Sequence, residues 1–240
     1  MTECAVCNSS NVKSLTEYNG FNFSQCDHCE FVFLYPMPSQ DELNKQYTDS
    51  QHEAEPTYDK AGSRLRRALI KLPRFFPYAF KKNVLDLGCG GGFIAHALSL
   101  VAASSTGIDI SVNAIAYASN RFKRPQFICS SFTELLDSND KYDFIYSSEI
   151  IEHVSDVNLY MRVLQHLVKN GGHVYITTPD LGHPKVPEDV RDWDVFVPPI
   201  HVQFFSSKTV KVLFERYGFE IVKFYKNRKP GLNFLARNIR

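Results

Sequence analysis

Beyond Lys82 the chain alternates short apolar runs with longer amphipathic stretches. The runs at Asn83–Leu87, 106–110, Gln126–Cys129, 142–147 and 173–178 have the apolar and β-branched texture of buried strands. Between them the periodicity becomes helical. Ser111 stands as an N-cap ahead of Ile115 and Ala118, and the stretch after Ser155 carries Leu159, Val163, Leu164 and Leu167 before stopping at Gly171-Gly172. Ser206 starts a further helix, with Val210, Leu213, Phe214 and Tyr217 on one face and Gly218 at its C′ position. Segments 219–226 and 232–236 read as two last strands around the turn Lys229-Pro-Gly. Strands and helices in this order predict an α/β fold with a parallel sheet built from βαβ units.

The remaining segments have a different texture. The first forty residues are punctuated by cysteines and aromatics and end at Tyr35-Pro-Met-Pro. From Asp41 the chain is polar and helix-compatible, with Leu65, Leu69 and Leu72 at helical spacing beside Arg64, Arg66, Arg67 and Lys71; Pro73 and Pro77 are expected to break this helix. The basic face over 60–71 either meets a phosphorylated or nucleotide-linked acceptor or is simply solvated. The expected organisation is 1–40 as a small separate element, 41–80 as a helical linker or cap, and 81–240 as the main domain. Segment 181–200, proline-rich and carrying Trp193 and Phe196, is too long for a plain connection and is expected to be a functional loop or lid.

Composition narrows the classes. Lys+Arg of 27 against Asp+Glu of 26 leaves a formal charge of +1, which is no electrostatic footprint for long nucleic acid. The N-terminus lacks the apolar run of a secretory signal and no stretch could span a bilayer, so a cytoplasmic protein without a membrane or nucleic-acid partner is expected. The oligomeric state is not legible. In a reducing compartment the six cysteines read first as thiols or metal ligands. Cys4-x-x-Cys7 and Cys26-x-x-Cys29 form two turns that can close a tetrahedral zinc site. Four thiolates leave no open position, so such a zinc is structural, with His28 a bystander. Cys89 and Cys129 read as small residues packed near a cofactor.

The sharpest chemical signal is Val84-Leu-Asp-Leu-Gly-Cys-Gly-Gly-Gly-Phe, a strand running into a glycine turn and a helix. Gly88, Gly90 and Gly92 allow close backbone approach to a ligand at the carboxyl end of the first strand of the sheet. A dinucleotide fingerprint would need glycine where Phe93 stands, and the carboxylate of Asp86 suits a cationic ligand better than phosphate. Asp109, at the end of the next strand, can take both hydroxyls of a ribose.

These residues resemble the core of class I S-adenosylmethionine-dependent methyltransferases over 84–180. The likeness is to the small-molecule group with a Glu-x-x-Glu-His-Val run, here Glu149-Ile-Ile-Glu152-His153-Val154, followed by Gly171-Gly172 and Thr178-Pro179-Asp180. The run from Cys26 to Pro38 is similar to a zinc-binding segment found on some of these enzymes. The resemblance implies a Rossmann-like methyltransferase fold, with a mostly parallel seven-stranded sheet whose last strand is antiparallel, plus a small N-terminal zinc ribbon. It implies that S-adenosylmethionine meets Asp86 at its methionine end, Gly88, Cys89 and Gly90 beneath it, and Asp109 and Ile110 at its ribose. Ser131 and Phe132 then flank the adenine, where many relatives carry an acid, and Ser148 and Glu149 complete the cofactor site.

Glu149, Glu152 and His153 would share one face if the run turned helically, and His201 could return to the same place after the long loop. Three readings stay open. The cluster packs structurally; or His153 or His201 is the catalytic base for an acceptor hydroxyl; or Glu149, Glu152, His153 and His201 bind a divalent metal, a pattern similar to ubiquinone-type O-methyltransferases and to enzymes that methylate small-RNA 3′ ends. The function expected is methyl transfer to a small-molecule acceptor, at oxygen in preference to nitrogen or carbon, the acceptor being a sugar, a nucleotide-linked compound or a secondary metabolite. The alternatives are a non-catalytic zinc-ribbon and cofactor-binding protein that recognises RNA or a protein partner, and a metal-dependent RNA 2′-O-methyltransferase.

Overall fold

The computed structural model describes residues 3–43 and 60–240; 44–59, within the stretch expected to form the helical linker, lies outside the described residues. Strands β1 (Val12–Tyr18), β2 (Phe21–Cys26) and β3 (Val32–Leu34) come first, followed by helix α1 (Ala61–Ala79). The wound region then runs β4 (Asn83–Leu87), α2 (Phe93–Ser99), β5 (Ser104–Asp109), α3 (Val112–Arg121), β6 (Gln126–Cys129), α4 (Phe132–Leu135), β7 (Tyr142–Ser148), α5 (Val157–Leu167) and β8 (Val168–Pro179). It closes with β9 (Gln203–Phe204), α6 (Ser207–Arg216), β10 (Phe219–Tyr225) and β11 (Gly231–Asn238). Seven strands form one sheet in the order β10-β11-β8-β7-β4-β5-β6. The alternation of apolar runs and helices predicts a parallel sheet, and the mostly parallel, Rossmann-like form is the one that the methyltransferase resemblance implies.

Cα packing divides the chain into two compact units. In the first, which contains Gln51–Ser148, Arg162–Tyr175 and Arg237–Arg240, β4 pairs in parallel with β5 on one side and β7 on the other. The strand order therefore reverses at the carboxyl end of β4, where open α/β sheets bind ligands. Val84, Leu85, Phe144 and Ile145 are fully buried, as central parallel strands require.

Helix α1 corrects one expectation, since it runs through Pro73 and Pro77. Each proline removes an N–H from the ladder, but the helix is held from outside. Phe75 packs against Phe144, Tyr146 and Tyr175 at centroid distances of 5.7, 5.3 and 4.9 Å. Lys71 donates to the Tyr146 hydroxyl and Arg74 to that of Tyr175, both at 3.0 Å. Tertiary contact overrides the local break. A second difference is at Gly171-Gly172, expected to stop α5. The helix ends at Leu167 and the glycines lie inside β8. A Cβ on Gly172 would come within 2.8 Å of Val168 Cγ2 and 3.1 Å of the Asp143 carbonyl, so Gly172 serves close strand passage, whereas Gly171 has open space around it and takes a left-handed φ of 72°.

The other unit gathers the N-terminal segment with Glu149–Met161 and Ile176–Ala236. Its sheet is β1-β2-β3-β9, the last pairing antiparallel through Val32↔Phe204 and Phe33↔Gln203. Phe23, Leu34, Trp193, Phe196, Val202 and Phe204 share one core, with Phe196 stacked on Phe204 at 5.0 Å. The aromatic residues of 181–200, expected in a lid, are thus buried against the N-terminal sheet. Their burial contributes about 1.5–3 kcal/mol each, enough to fix the segment. Ser111 and Ser206 cap their helices as expected, accepting from the N–H groups of Ala114 and Thr209, and Gly218 follows α6 with φ 75°. No helix among the described residues is long and apolar enough to cross a membrane.

Because Pro73 is exposed and lacks an N–H for the Leu69 carbonyl, Pro73→Ala should raise unfolding stability by roughly 1–3 kcal/mol. Urea unfolding checks this; an unchanged or lowered midpoint would mean that the proline conformation itself is needed.

Candidate functional site

The glycine turn is built by three left-handed residues, Gly88, Gly90 and Gly92, with φ of 76°, 48° and 76°. The N–H groups of Gly88 and Cys89 both donate to the Ile108 carbonyl, at 2.8 and 2.9 Å, folding the loop over the end of β5. Gly92 is the N-cap of α2 and has no side chain to cap with. Asp86 caps in its place, its Oδ2 accepting from Ala95 N–H at 2.9 Å. No larger residue fits at Gly92, since a Cβ would lie 2.6 Å from Phe127 Cζ.

Asp86 is 3% exposed, and burial together with the Asp109 charge pushes its carboxyl up to about 7. Asp109 braces the loop: Oδ2 accepts from Gly90 N–H at 2.8 Å and Oδ1 from Ser111 N–H at 2.9 Å. A carboxylate has roughly four acceptor sites, so two remain for the hydroxyls of a ribose. Ile110 beside it is 56% exposed, an apolar platform at the mouth of the loop. Ser131 and Phe132 open α4, where the Ser131 side chain is committed to a capping box with Glu134. Cys89 is buried, its thiol raised by burial and by the charges of Asp86 and Asp109. Cys129 differs from expectation: it is exposed at the end of edge strand β6, its thiol donating to the Ile110 carbonyl at 3.4 Å.

The run after β7 is a tight turn, not a helix. Glu149 takes a left-handed φ of 56°; its N–H donates to the Thr177 carbonyl at 2.9 Å, and its Oε1 accepts from the Thr177 hydroxyl at 2.7 Å. Glu152 is fully buried, with Oε2 accepting from the Thr178 hydroxyl at 3.0 Å and Oε1 left without a partner. Burial and the neighbouring Glu149 hold the Glu152 carboxyl well above the usual range. His153 Nδ1 lies 2.8 Å from the Ile200 carbonyl and His201 Nδ1 2.6 Å from that of Val195. A carbonyl only accepts, so each Nδ1 carries the proton and each Nε2 presents a lone pair. The two rings are 4.6 Å apart, and His153 Nε2 is 3.8 Å from the orphan Glu152 oxygen. Ligand atoms of Glu152, His153 and His201 all fall within 4.8 Å of one another. Burial and the proximity of His201 lower His153 to about 4, below the near-neutral value a base would use.

The four N-terminal cysteines meet as expected. Each Cys-x-x-Cys turn closes with an N–H donating back to the first cysteine's carbonyl, Asn8 to Cys4 at 2.8 Å and Glu30 to Cys26 at 2.9 Å. Asn8 and Glu30, the residues just after each pair, are left-handed at φ 58° and 65°. The two turns are therefore copies of one conformation. Sγ atoms of Cys4 and Cys29, and of Cys7 and Cys26, stand 3.5 Å apart. That is far beyond a disulfide and near the roughly 3.8 Å edge of a tetrahedron with zinc–sulfur bonds of about 2.3 Å. The residues fit a zinc tetrathiolate.

A family profile described as a methyltransferase domain matches residues 58–223. The chain belongs to the methyltransferase-domain family. Among curated relatives, it is 34% identical over 104 residues to a ubiquinone biosynthesis O-methyltransferase of Serratia proteamaculans, covering 41% of this chain and 43% of that protein. A protein of the same description from Vibrio atlanticus is 28% identical over 178 residues, covering 66% and 73%. The first relatives are matched over only about two fifths of their length, 40% for that of Rhizobium leguminosarum. Among solved structures, an S-adenosylmethionine-dependent methyltransferase from Mesorhizobium loti aligns with TM-score 0.56 at 23% identity, covering 72% of this chain and 99% of that one. At that identity the likeness shows the fold.

Within this family frame, several supporting residues escaped the sequence reading. Thr177 and Thr178 orient the two glutamates, and Gln203, 1% exposed, donates through Nε2 to the carbonyls of Ile151 and Val154 at 2.6 and 3.0 Å. The threonines had a readable signal, as hydroxyls at the carboxyl end of a buried strand. Gln203 had none, because only the fold brings it under the turn.

One zinc per chain is expected on elemental analysis of protein purified without chelator, and Cys26→Ser/Cys29→Ser should lose it. Stoichiometric thiol titration with no zinc present would instead make these four free cysteines.

Proposed function

We propose that this chain transfers a methyl group from S-adenosylmethionine to a hydroxyl oxygen of a small-molecule acceptor, with a divalent cation held by Glu152, His153 and His201 and with Glu149 beside them. The observation that carries the cation site is the convergence of two Nε2 lone pairs, fixed by their Nδ1–H bonds, on a buried carboxylate oxygen that has no partner. Nitrogen and oxygen donors of this kind suit magnesium, manganese or zinc. The O-methyltransferase relatives support oxygen as the acceptor atom.

In the cofactor reading Asp86 faces the cationic methionine end, with Gly88, Cys89 and Gly90 beneath it. Asp109 and Ile110 hold the ribose, Ser131 and Phe132 flank the adenine, and Ser148 closes the site. In the transfer, an oxygen lone pair forms the new C–O bond as the C–S bond breaks, and the leaving thioether is neutral. The hydroxyl proton must therefore be lost at or before that step. A divalent cation at the cluster supplies Lewis acidity that makes a coordinated hydroxyl easier to ionise. Thr178 aims Glu152, the Ile200 and Val195 carbonyls fix the imidazole tautomers, and Gln203 holds the turn that carries them. Proton removal by His153 alone is the weaker reading, because its basicity is depressed and Nδ1 is already committed. The zinc at Cys4, Cys7, Cys26 and Cys29 is structural in this proposal, its four positions filled by sulfur.

Two outcomes follow from these assignments. A cationic cofactor favours ionised Asp86, whose carboxyl stands at about 7, so affinity should be full above neutrality and fall as pH drops below it. The limit is roughly tenfold per unit. Calorimetry should find this dependence and see it flatten in Asp86→Asn; an unaltered slope removes Asp86 from the cofactor's charged end. The cluster is tested with Mn2+ alone, by the loss of its free spin-resonance signal. His153→Ala and Glu152→Gln should each weaken one site by roughly tenfold or more. Chelator-treated enzyme should regain methyl transfer with Mg2+ or Mn2+. Transfer that survives chelation, with Mn2+ uptake unchanged in both variants, would overturn the metal reading.

A further inference from the structure

Helix α1 has two apolar faces. The inward one is small, with Ala68, Phe75 and Ala79 buried. The outward one carries Leu69, Ile70, Phe76 and Phe80, which are 39%, 65%, 43% and 46% exposed, with Pro73 and Pro77 exposed among them. At about 100° per residue these six positions fall within roughly a third of the helix circumference, opposite the buried face. Phe76 and Phe80 stack on each other at 4.8 Å. Isolated exposed apolar side chains are ordinary, but a continuous stripe marks a surface meant to be covered.

The charge around the stripe has one sign. From Lys60 to Lys82 the sequence holds eight Lys and Arg and no Asp or Glu. Lys71 and Arg74 are turned to tyrosine hydroxyls. Arg66, Arg67, Lys81 and Lys82 are exposed, with Lys81 Nζ 5.4 Å from the centre of the Phe80 ring. A second copy of this face would bring cation against cation, which disfavours self-association. An apolar stripe on a segment whose charged residues from 60 to 82 are all cations is complementary to a layer of anionic headgroups above an apolar interior. That no helix among the described residues is long and apolar enough to cross a bilayer has no bearing on one that lies along its surface.

We propose that α1 is an interfacial helix that seats the protein on an anionic lipid bilayer. Leu69, Ile70, Phe76 and Phe80 enter the boundary between headgroups and acyl chains, and Arg66, Arg67, Lys81 and Lys82 meet the phosphates. This partner was not expected from the sequence, where the basic face reads as solvated or acceptor-binding. None of these residues belongs to the groups proposed to hold cofactor or metal.

The test is flotation of the full chain with vesicles of phosphatidylcholine alone, or with about one third phosphatidylglycerol. Binding to the anionic vesicles should exceed that to neutral ones by roughly tenfold or more and should weaken in about 0.5 M salt. Ile70→Gln/Phe76→Gln/Phe80→Gln should lose binding by a similar factor while keeping its zinc content and near-UV dichroism. Arg66→Glu/Lys81→Glu/Lys82→Glu should lose it too, and tests the proposal independently should the first variant misfold. Equal binding to both vesicle types, or retained binding in the apolar variant, overturns the proposal. So does sedimentation in which the apolar variant turns a dimer into a monomer, since the stripe then belongs to a second copy.

Discussion

The antiparallel pairing of β3 with β9 is short, Val32↔Phe204 and Phe33↔Gln203, yet much of the candidate chemistry depends on it. It fixes Gln203, whose buried amide holds the Glu-x-x-Glu-His turn from beneath, and it sets the place of His201 two residues earlier. The same strand contributes Phe204 to the core shared with Phe23, Trp193 and Phe196. β3 in turn follows the second cysteine turn, and β2 leads into it. The N-terminal sheet is thus a support for the acid–histidine turn. Leu34 N–H donating to the Val202 carbonyl and Val202 N–H donating to that of Glu152, at 2.9 and 3.0 Å, make the connection backbone to backbone.

This dependence explains what could and could not be read from the sequence. Local signals sufficed wherever the cause is local. Ser111, Ser206 and Gly218 act at helix ends whose chemistry lies within a few residues, and the strands of the main sheet are set by runs of buried apolar side chains. The cysteine pairs were legible because each Cys-x-x-Cys spacing closes one local turn. β9 was not, being only Gln203 and Phe204 and existing because β3 offers it an edge. Helix α1 continues past Pro73 for the same reason, since Phe75 and its aromatic neighbours hold the segment from outside.

The site residues divide in the same way. Asp86, Asp109, Glu152 and His153 stood out as candidates by their positions after strands. Their second duties did not. Asp109 spends one oxygen on each of two backbone N–H groups, and Asp86 serves as the cap that Gly92 cannot be. Replacing either with alanine would therefore disturb the loop as well as any ligand contact, and amide variants are the cleaner probes. Glu149 would have shared a face with Glu152 and His153 had the run turned helically. Its left-handed backbone instead ties it to Thr177.

One electrostatic plan is used twice. Asp86, buried within the influence of Asp109, has its ionisation opposed by burial and by a like charge. Glu152, buried near Glu149, is in the same situation, with an orphan oxygen added. A fold tolerates a buried acid under such opposition only at a cost, unless a cation compensates it. At the first pair the compensating charge suits the cationic end of a nucleoside cofactor, because Gly88 and Gly90 leave room for backbone approach and Ile110 offers an apolar platform. At the second, imidazole lone pairs replace open space, and such donors suit a metal ion rather than an organic cation. The chemistry of the neighbours thus suits two similar acid pairs to different cations.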